Sequence, residues 1–145
     1  MATIQKAMGQ GFASGEMYTV LNNFNGMAAD ATVTVAEKDT DEWTVAIQLK
    51  DWNGDDLAVP GTVICYLSSD SAGLDFNEAA VTTETAIGTD GSLAILLAKI
   101  AYLVTSEADG DIDLVITDTG EDVYYLVVVL PTGKLVVSDA MTFAS

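Results

Sequence analysis

Short segments in which apolar and polar residues alternate are the feature that most constrains the fold of this chain. Residues 42–50 read EWTVAIQLK, and every second side chain from Trp43 to Leu49 is apolar. Residues 111–117, DIDLVIT, alternate in the same way. Successive side chains of an extended chain point to opposite sides, so a period of two is typical of a β-strand. The pattern therefore predicts strands that each bury one face.

Turn-forming residues separate these segments at intervals of about 8–12 residues. Asn53-Gly54 and Asp109-Gly110 are two such turns, and Asn-Gly is the strongest short-range hairpin signal. About seven or eight short strands with this spacing favour two packed sheets. Residues 31–145 are therefore predicted to form one all-β domain, an immunoglobulin-like β-sandwich.

Residues 93–106 fit two patterns. Leu93, Leu96 and Ile100 have a helical spacing, whereas IAYLVTS is typical of a strand. Regular turns and strands on both sides favour β-structure here. Two other segments are predicted strands: residues 62–69, with Val63, Cys65 and Leu67 on one face, and the β-branched residues 80–87.

The first 30 residues differ in composition from the rest. They hold several glycines and few charges, yet also large apolar side chains. The segment is too glycine-rich for a stable helix of its own and too apolar for a solvated tail. Residues 1–30 are predicted to form an extended arm that packs on its own domain or on a neighbouring chain. The alternative is a first strand with an irregular start.

Charge excludes several classes of function. The chain has 22 Asp and Glu against five Lys, no His, and a formal net charge of −17. Binding to nucleic acid or to an anionic membrane needs a basic surface, so neither is expected. Without His there is no Ser-His-Asp triad and no His metal ligand. The longest apolar run, residues 93–104, is too short to span a bilayer.

No enzymatic activity and no cofactor are predicted. Cys65, the single cysteine, lies in an apolar strand with no basic neighbour, which indicates a small buried hydrophobic residue rather than a nucleophile. The amino terminus lacks the pattern of a signal peptide, so synthesis in the cytoplasm is expected.

Two series of acidic residues resemble the start of a calcium loop. Both place oxygen ligands at alternate positions: Asp51, Asn53 and Asp55, and Asp109, Asp111 and Asp113. Neither series has glycine at its sixth position or glutamate at its twelfth, as a calcium loop requires. Solvated, turn-forming carboxylates are the preferred interpretation, and no metal is predicted.

Four stretches resemble a family of small acidic immunoglobulin-like proteins of tailed bacteriophages, described as head decoration or cement proteins. They are VAIQLKDWNGDDLAVPGTVICYLS, AIGTDGSL, LVTSEADGDIDLVIT and YYLVVVLPTGKLVVSDAMTFA. The resemblance implies a non-enzymatic virion protein, made in the host bacterial cytoplasm, that stabilises the outer capsid surface. Its implied partner is the major capsid protein, whose subunits it bridges, and a homotrimer is one candidate assembly.

Such proteins often bind the shell through a terminal arm. The resemblance therefore implies capsid contacts within residues 1–30, at Phe12, Tyr18, Leu21 and Phe24. A large aromatic side chain in a turn is costly to leave in water, so Trp52 either folds back on its own sheet or contacts a partner, and a contact is the preferred interpretation.

Two alternative functions remain open. An immunoglobulin-like adhesion or carbohydrate-binding module on the virion head or tail would contact the host surface through clustered aromatic residues, for which Trp52, Tyr66, Phe76 and Tyr102 are available. A calcium-stabilised module is the other alternative.

Overall fold

The structure, a computed structural model, describes residues 26–76 and 80–144, and within these ranges the chain forms ten β-strands and no helix. In chain order the strands are β1 (Asp30–Asp39), β2 (Glu42–Lys50), β3 (Thr62–Ser68), β4 (Ala86–Ile87), β5 (Ser92–Leu97), β6 (Ala101–Thr105), β7 (Asp111–Thr117), β8 (Val123–Val129), β9 (Leu135–Val137) and β10 (Met141–Thr142). Accordingly, no helix in the described part of the chain could span a membrane.

The strands form two antiparallel sheets, so the all-β prediction is confirmed. The smaller sheet has the order β1-β2-β7-β4, and the larger has the order β10-β8-β3-β6-β5 with β9 also beside β8. The arrangement is consistent with a β-sandwich, in which each sheet buries one face against the other.

The alternating segments place their apolar side chains in the core. In the smaller sheet the buried side chains of β2 and β7 are Val45, Ile47, Leu49, Ile112, Leu114 and Ile116. In the larger sheet those of β3, β6 and β8 include Val63, Cys65, Leu67, Tyr102, Val104, Tyr124, Leu126 and Val128. Both sets belong to one cluster of buried residues. The faces predicted for residues 42–50, 62–69 and 111–117 are therefore confirmed.

Residues 92–105 form a tight hairpin of two strands, β5 and β6. The preference for β-structure is confirmed, but the apolar run is not one strand. Lys99 takes a positive φ of 63°, and the Ile100 amide donates to the Leu97 carbonyl at 3.1 Å. A non-glycine residue rarely adopts this backbone conformation, which explains why no turn was predicted from the sequence there.

The strand predicted over residues 80–87 is mostly irregular. Only Ala86–Ile87 pair as β4. Residues before them are held by the end of β7: the Thr82 amide donates to the carboxylate of the buried Asp118 at 3.0 Å, and the Thr83 amide donates to the Thr117 carbonyl at 3.3 Å. These bonds replace a regular ladder.

The Asn53-Gly54 turn forms but does not join two neighbouring strands. The Asp51 carboxylate accepts hydrogen bonds from the amides of Asn53 and Asp55, and Lys50 and Asp56 form an isolated bridge. The chain then crosses to the larger sheet, because β2 and β3 belong to different sheets.

The described chain begins beside the core. Ala28 is buried, and the Ala29 amide donates to the Lys50 carbonyl at 2.9 Å. Asp30 opens β1 and pairs with Lys134, with 2.9 Å between the carboxylate oxygen and Nζ. Residues 1–25 of the predicted arm lie outside the described residues, whereas residues 28–30 already contact the sandwich.

The turn glycine Gly110 provides a test of the packing between β2 and β7. Its φ is +82°, and an added Cβ would lie 2.9 Å from the Leu49 carbonyl oxygen and 3.0 Å from Leu57 Cβ. Gly54 has a φ of +86° but nothing within 4 Å of an added Cβ. We expect Gly54→Ala to lower the free energy of unfolding by about 1 kcal/mol through backbone strain alone. Gly110→Ala should lower the free energy of unfolding by about 2 kcal/mol more than Gly54→Ala does, because its new methyl group overlaps the Leu49 carbonyl oxygen.

Urea denaturation of both variants measures this difference. Equal losses for the two substitutions would contradict the close packing around Gly110.

Candidate functional site

The two sheets differ sharply in charge. The six strands of the larger sheet contain no Asp, Glu or Lys. Strands β1, β2 and β7 of the smaller sheet contain Asp30, Glu37, Lys38, Asp39, Glu42, Lys50, Asp111 and Asp113. A chain with a net charge of −17 therefore presents one sheet whose strands are uncharged.

Two rows of outward side chains on the larger sheet are apolar. The strand register aligns the first, here called the outer row, across five strands: Leu135, Val129, Ile64, Leu103 and Ala94. The register aligns the second row across four strands: Val137, Val127, Tyr66 and Ala101. Outward positions on a solvated sheet are ordinarily polar, so both rows depart from the usual pattern.

Residues 69–76 cover the second row. Gly73 lies so close that an added Cβ would be 2.9 Å from Val127 and 3.0 Å from Val137. The Tyr66 hydroxyl donates a hydrogen bond to the Gly73 carbonyl, and the rings of Tyr66 and Phe76 are in contact, with centroids 4.7 Å apart and planes tilted by 38°. Val127 is consequently fully buried, as expected for a strand covered on both faces.

In the part of the chain that the structure describes, the outer row remains accessible to solvent. Ile64 is 41% exposed and Leu135 is 37% exposed. A shallow groove of about 280 Å³ runs beside them, and Thr62, Leu103 and Pro131 contribute to its lining. An apolar, uncharged and accessible row is a surface that water solvates poorly and that a protein partner can cover.

The smaller sheet carries an acidic cluster on its outer face. Carboxylate oxygens of Asp90, Asp111 and Asp113 lie within 4.8 Å of one another. The turn before β5 brings Asp90 to β7, where the Asp113 amide donates to the Asp90 carbonyl at 2.9 Å. Burial raises the pKa of Asp111 above its usual value, and the charges of Asp113, Asp90 and Asp109 raise it further. Such oxygens could bind a divalent cation.

The cluster differs from the series considered in the sequence. Asp111 and Asp113 are joined by Asp90, which is distant in sequence, rather than by Asp109. The other series forms no comparable group: Asp51 accepts bonds from the amides of its own turn. Beside Asp113, small side chains of β1 and β2, among them Ala36 and Ala46, line a depression of about 350 Å³.

The predicted contact residues are only partly described. Trp52 lies in the turn after β2 and is 44% exposed. Phe12, Tyr18, Leu21 and Phe24 lie outside the described residues. Of the aromatic residues considered for carbohydrate binding, Tyr66 and Phe76 come together, whereas Tyr102 is fully buried and cannot contact a ligand.

Cys65 is buried in the core of the larger sheet. Its side chain is inaccessible, and burial raises the pKa of the thiol to about 12. A thiol with this pKa is almost wholly protonated at neutral pH and is a poor nucleophile. The prediction of a small buried hydrophobic residue is confirmed.

Sequence reasoning missed the outer row. A signal for it was present in the sequence, since the segments that form β3, β5, β6 and β8 are all without charge in a very acidic chain.

No protein-family model matches the chain, and neither a curated protein nor a solved structure matches it. The function is therefore inferred from these surfaces and from the residues themselves.

Burial of the Asp111 carboxylate, together with repulsion by the neighbouring carboxylates, predicts that Asp111→Asn stabilises the protein. The folded-state pKa of Asp111 is raised, so its ionised form is disfavoured by folding at neutral pH. Removing the charge should raise the free energy of unfolding by about 0.5 kcal/mol, a small value because solvent screens the group. The gain should disappear as the pH falls below the usual pKa of Asp and should shrink in high salt.

Denaturation curves at neutral and acidic pH measure the effect, with Glu37→Gln on the exposed part of β1 as a control for charge removal alone. Destabilisation of Asp111→Asn at neutral pH would contradict the conclusion that folding disfavours the charged form of this carboxylate.

Proposed function

We propose that this protein is a non-enzymatic structural protein of a bacteriophage virion, which binds the outer capsid surface and bridges subunits of the major capsid protein. The observation that carries the proposal is the outer row, an uncharged apolar surface on a chain of net charge −17. The cores of protein interfaces are depleted in charged residues and exclude water. The outer row has this composition and crosses five strands.

The distribution of charge supports the same proposal. The strands that carry Asp and Glu belong to the smaller sheet, on the other side of the sandwich from the outer row. With the outer row against the shell, the acidic sheet would face the solvent. A high net charge keeps free subunits soluble before assembly and disfavours binding to nucleic acid.

An immunoglobulin-like topology is part of the proposal, and the sheet order supports it. In immunoglobulin-type sandwiches the order A-B-E-D forms one sheet and C-F-G the other. The order β1-β2-β7-β4 corresponds to the first, and β3 beside β8, with β9 and β10 along the far edge of β8, corresponds to the second. The β5–β6 hairpin would then be an addition between the fourth and fifth strands of the shared arrangement.

The predicted contacts outside the outer row belong to the same proposal. Trp52 is exposed enough to contact a partner. The contacts implied within residues 1–30 would add a second point of attachment to the capsid. Two binding segments on one chain bind more tightly than either alone, because the second binding event is intramolecular once the first has occurred.

One observation favours the alternative of an adhesion or carbohydrate-binding module. Phe76 is 59% exposed while its ring packs against that of Tyr66, and exposed aromatic faces are a common platform for sugars. This candidate function differs from capsid decoration in the number of copies that a particle would carry.

The copy number of the protein in purified virions tests the function directly. We expect gel densitometry against the major capsid protein to give roughly one to a few copies per capsomer, as the symmetry of a lattice-bound subunit requires. A handful of copies per particle would favour the adhesion module on a tail. Complete absence from virions would refute a structural role.

Substitution of Ile64, at the centre of the outer row, tests the contact surface. We expect Ile64→Glu to weaken binding to capsids that lack the protein by about tenfold or more, because a carboxylate would be desolvated in the interface. Ile64 is 41% exposed, so the fold should persist, and a melting curve checks it.

The matched control is Ala36→Glu, which adds the same charge to an exposed position on β1 of the smaller sheet. Sedimentation of capsids with each variant measures the bound fraction. Undiminished binding of a folded Ile64→Glu protein would exclude the outer row as the capsid contact, even where virions contain the protein.

A further inference from the structure

The first strand of the chain opens beside one end of the outer row. Asp30, the first residue of β1, pairs with Lys134, with 2.9 Å between the carboxylate oxygen and Nζ. Lys134 directly precedes Leu135, which opens β9 and belongs to the outer row. The start of β1 is therefore held within one side chain's reach of the row.

The residues before β1 approach the groove that runs beside the outer row. A Cβ added to Gly26, where the described chain begins, would lie 3.7 Å from Val59. Val59 stands three residues before Thr62, which lines the groove, and three residues span at most about 11 Å. Residues 1–25, here called the amino-terminal segment, therefore join the domain close to this groove.

The amino-terminal segment matches the outer row in its lack of net charge. Lys6 and Glu16 are its two charged residues, so the net charge of −17 belongs to residues 26–145. Its large apolar side chains include Phe12, Tyr18, Leu21 and Phe24. Water solvates both an apolar row and an apolar segment poorly, so covering one with the other is favourable.

The amino-terminal segment is long enough to cover the outer row. The row crosses five strands, which lie about 4.8 Å apart, so it is about 19 Å long. The 25 residues of the segment span up to about 85 Å when extended. Residues 69–76 already cover the second row of the same sheet through Gly73. The outer row is thus the apolar row of this sheet that is left for the segment.

Attachment to the same chain favours the segment's own outer row over that of a second copy. The connection is short, because the described chain begins close to the groove. A short connection gives a binding segment a local concentration in the millimolar range. A second copy would compete equally only at a protein concentration of that order.

We propose that the amino-terminal segment lies over the outer row of its own chain, with its apolar side chains against Val129, Ile64 and Leu103. The segment then shields this row from water while the protein is free. This docking does not depend on capsid binding. Its consequence for assembly rests on the proposed function: a capsid subunit that binds the outer row displaces the segment and releases it for its own capsid contacts.

Paramagnetic broadening in the full chain locates the amino-terminal segment. Cys65 is inaccessible, so a nitroxide attaches only to an introduced cysteine. With the nitroxide on Thr62→Cys, in the groove, the amide signals of residues 1–25 should lose most of their intensity. With it on Ala36→Cys, at an exposed position of the smaller sheet, they should lose little. Equal loss from the two positions, or no loss from either, would overturn the proposal.

A mixture of two kinds of chain separates the possible occupants of the outer row. One kind carries the isotope that is observed, and the other carries the nitroxide on Thr62→Cys without the isotope. Docking within one chain predicts no broadening in this mixture at protein concentrations well below millimolar. Broadening between chains would show that the segment covers a second copy, and would overturn docking on its own chain.

The rate at which a thiol reagent alkylates Ile64→Cys tests whether apolar side chains hold the segment in place. The test variant of the full chain carries four further substitutions, Phe12→Ser, Tyr18→Ser, Leu21→Ser and Phe24→Ser. We expect alkylation of Ile64→Cys to become about tenfold faster in this variant, because the segment no longer covers the row.

Asn22→Ser combined with Asn23→Ser is the matched control, since it removes no apolar side chain and should leave alkylation of Ile64→Cys slow. Ala36→Cys should react at the same rate in every variant. Melting curves check that each variant is folded, and an unchanged rate in the folded test variant would overturn the proposal. No capsid is present in these measurements, so their failure is distinct from failure of the proposed function, which the copy number in virions tests.

Discussion

Burial of one face of each sheet against the other is the interaction on which the rest of this structure depends. Strands β2 and β7 contribute alternate side chains from one sheet, and β3, β6 and β8 contribute theirs from the other. Because the period of a strand is two, these inward positions determine which residues face outwards. A register shift of one residue in β3 would bury Ile64 and expose Cys65. The core therefore fixes both outer surfaces.

The outer surfaces are where the two sheets diverge. In the smaller sheet β1, β2 and β7 carry charged residues, whereas the strands of the larger sheet carry none. Residues 69–76 cover one apolar row of the larger sheet through Gly73 and Phe76 and leave the outer row accessible. A single side of the molecule thus carries the surface suited to contact with other protein segments, while the acidic side favours solubility.

Local patterning predicted some elements well and others poorly. The faces of β2, β3 and β7 followed from alternation, because the apolar side of each lies in the core or packs against it. The β5–β6 hairpin was missed, because its turn uses Lys99 at a positive φ instead of glycine or asparagine. Residues 80–85 have strand composition but are held by the buried Asp118, a contact from a distant part of the chain. Composition alone could not reveal that anchor.

The sequence by itself determined that the chain forms antiparallel β-structure, which side chains of its clearest strands are buried, and that the molecule is strongly acidic. These properties depend on residue type and on spacing within a few positions. Only the tertiary structure decided which strands are neighbours. Strand pairing aligned Leu135, Val129, Ile64, Leu103 and Ala94 into one row, and the turn before β5 brought Asp90 to Asp111 and Asp113. These residues come together through contacts between distant segments of the chain. The alternation of apolar and polar residues within one strand does not predict such contacts.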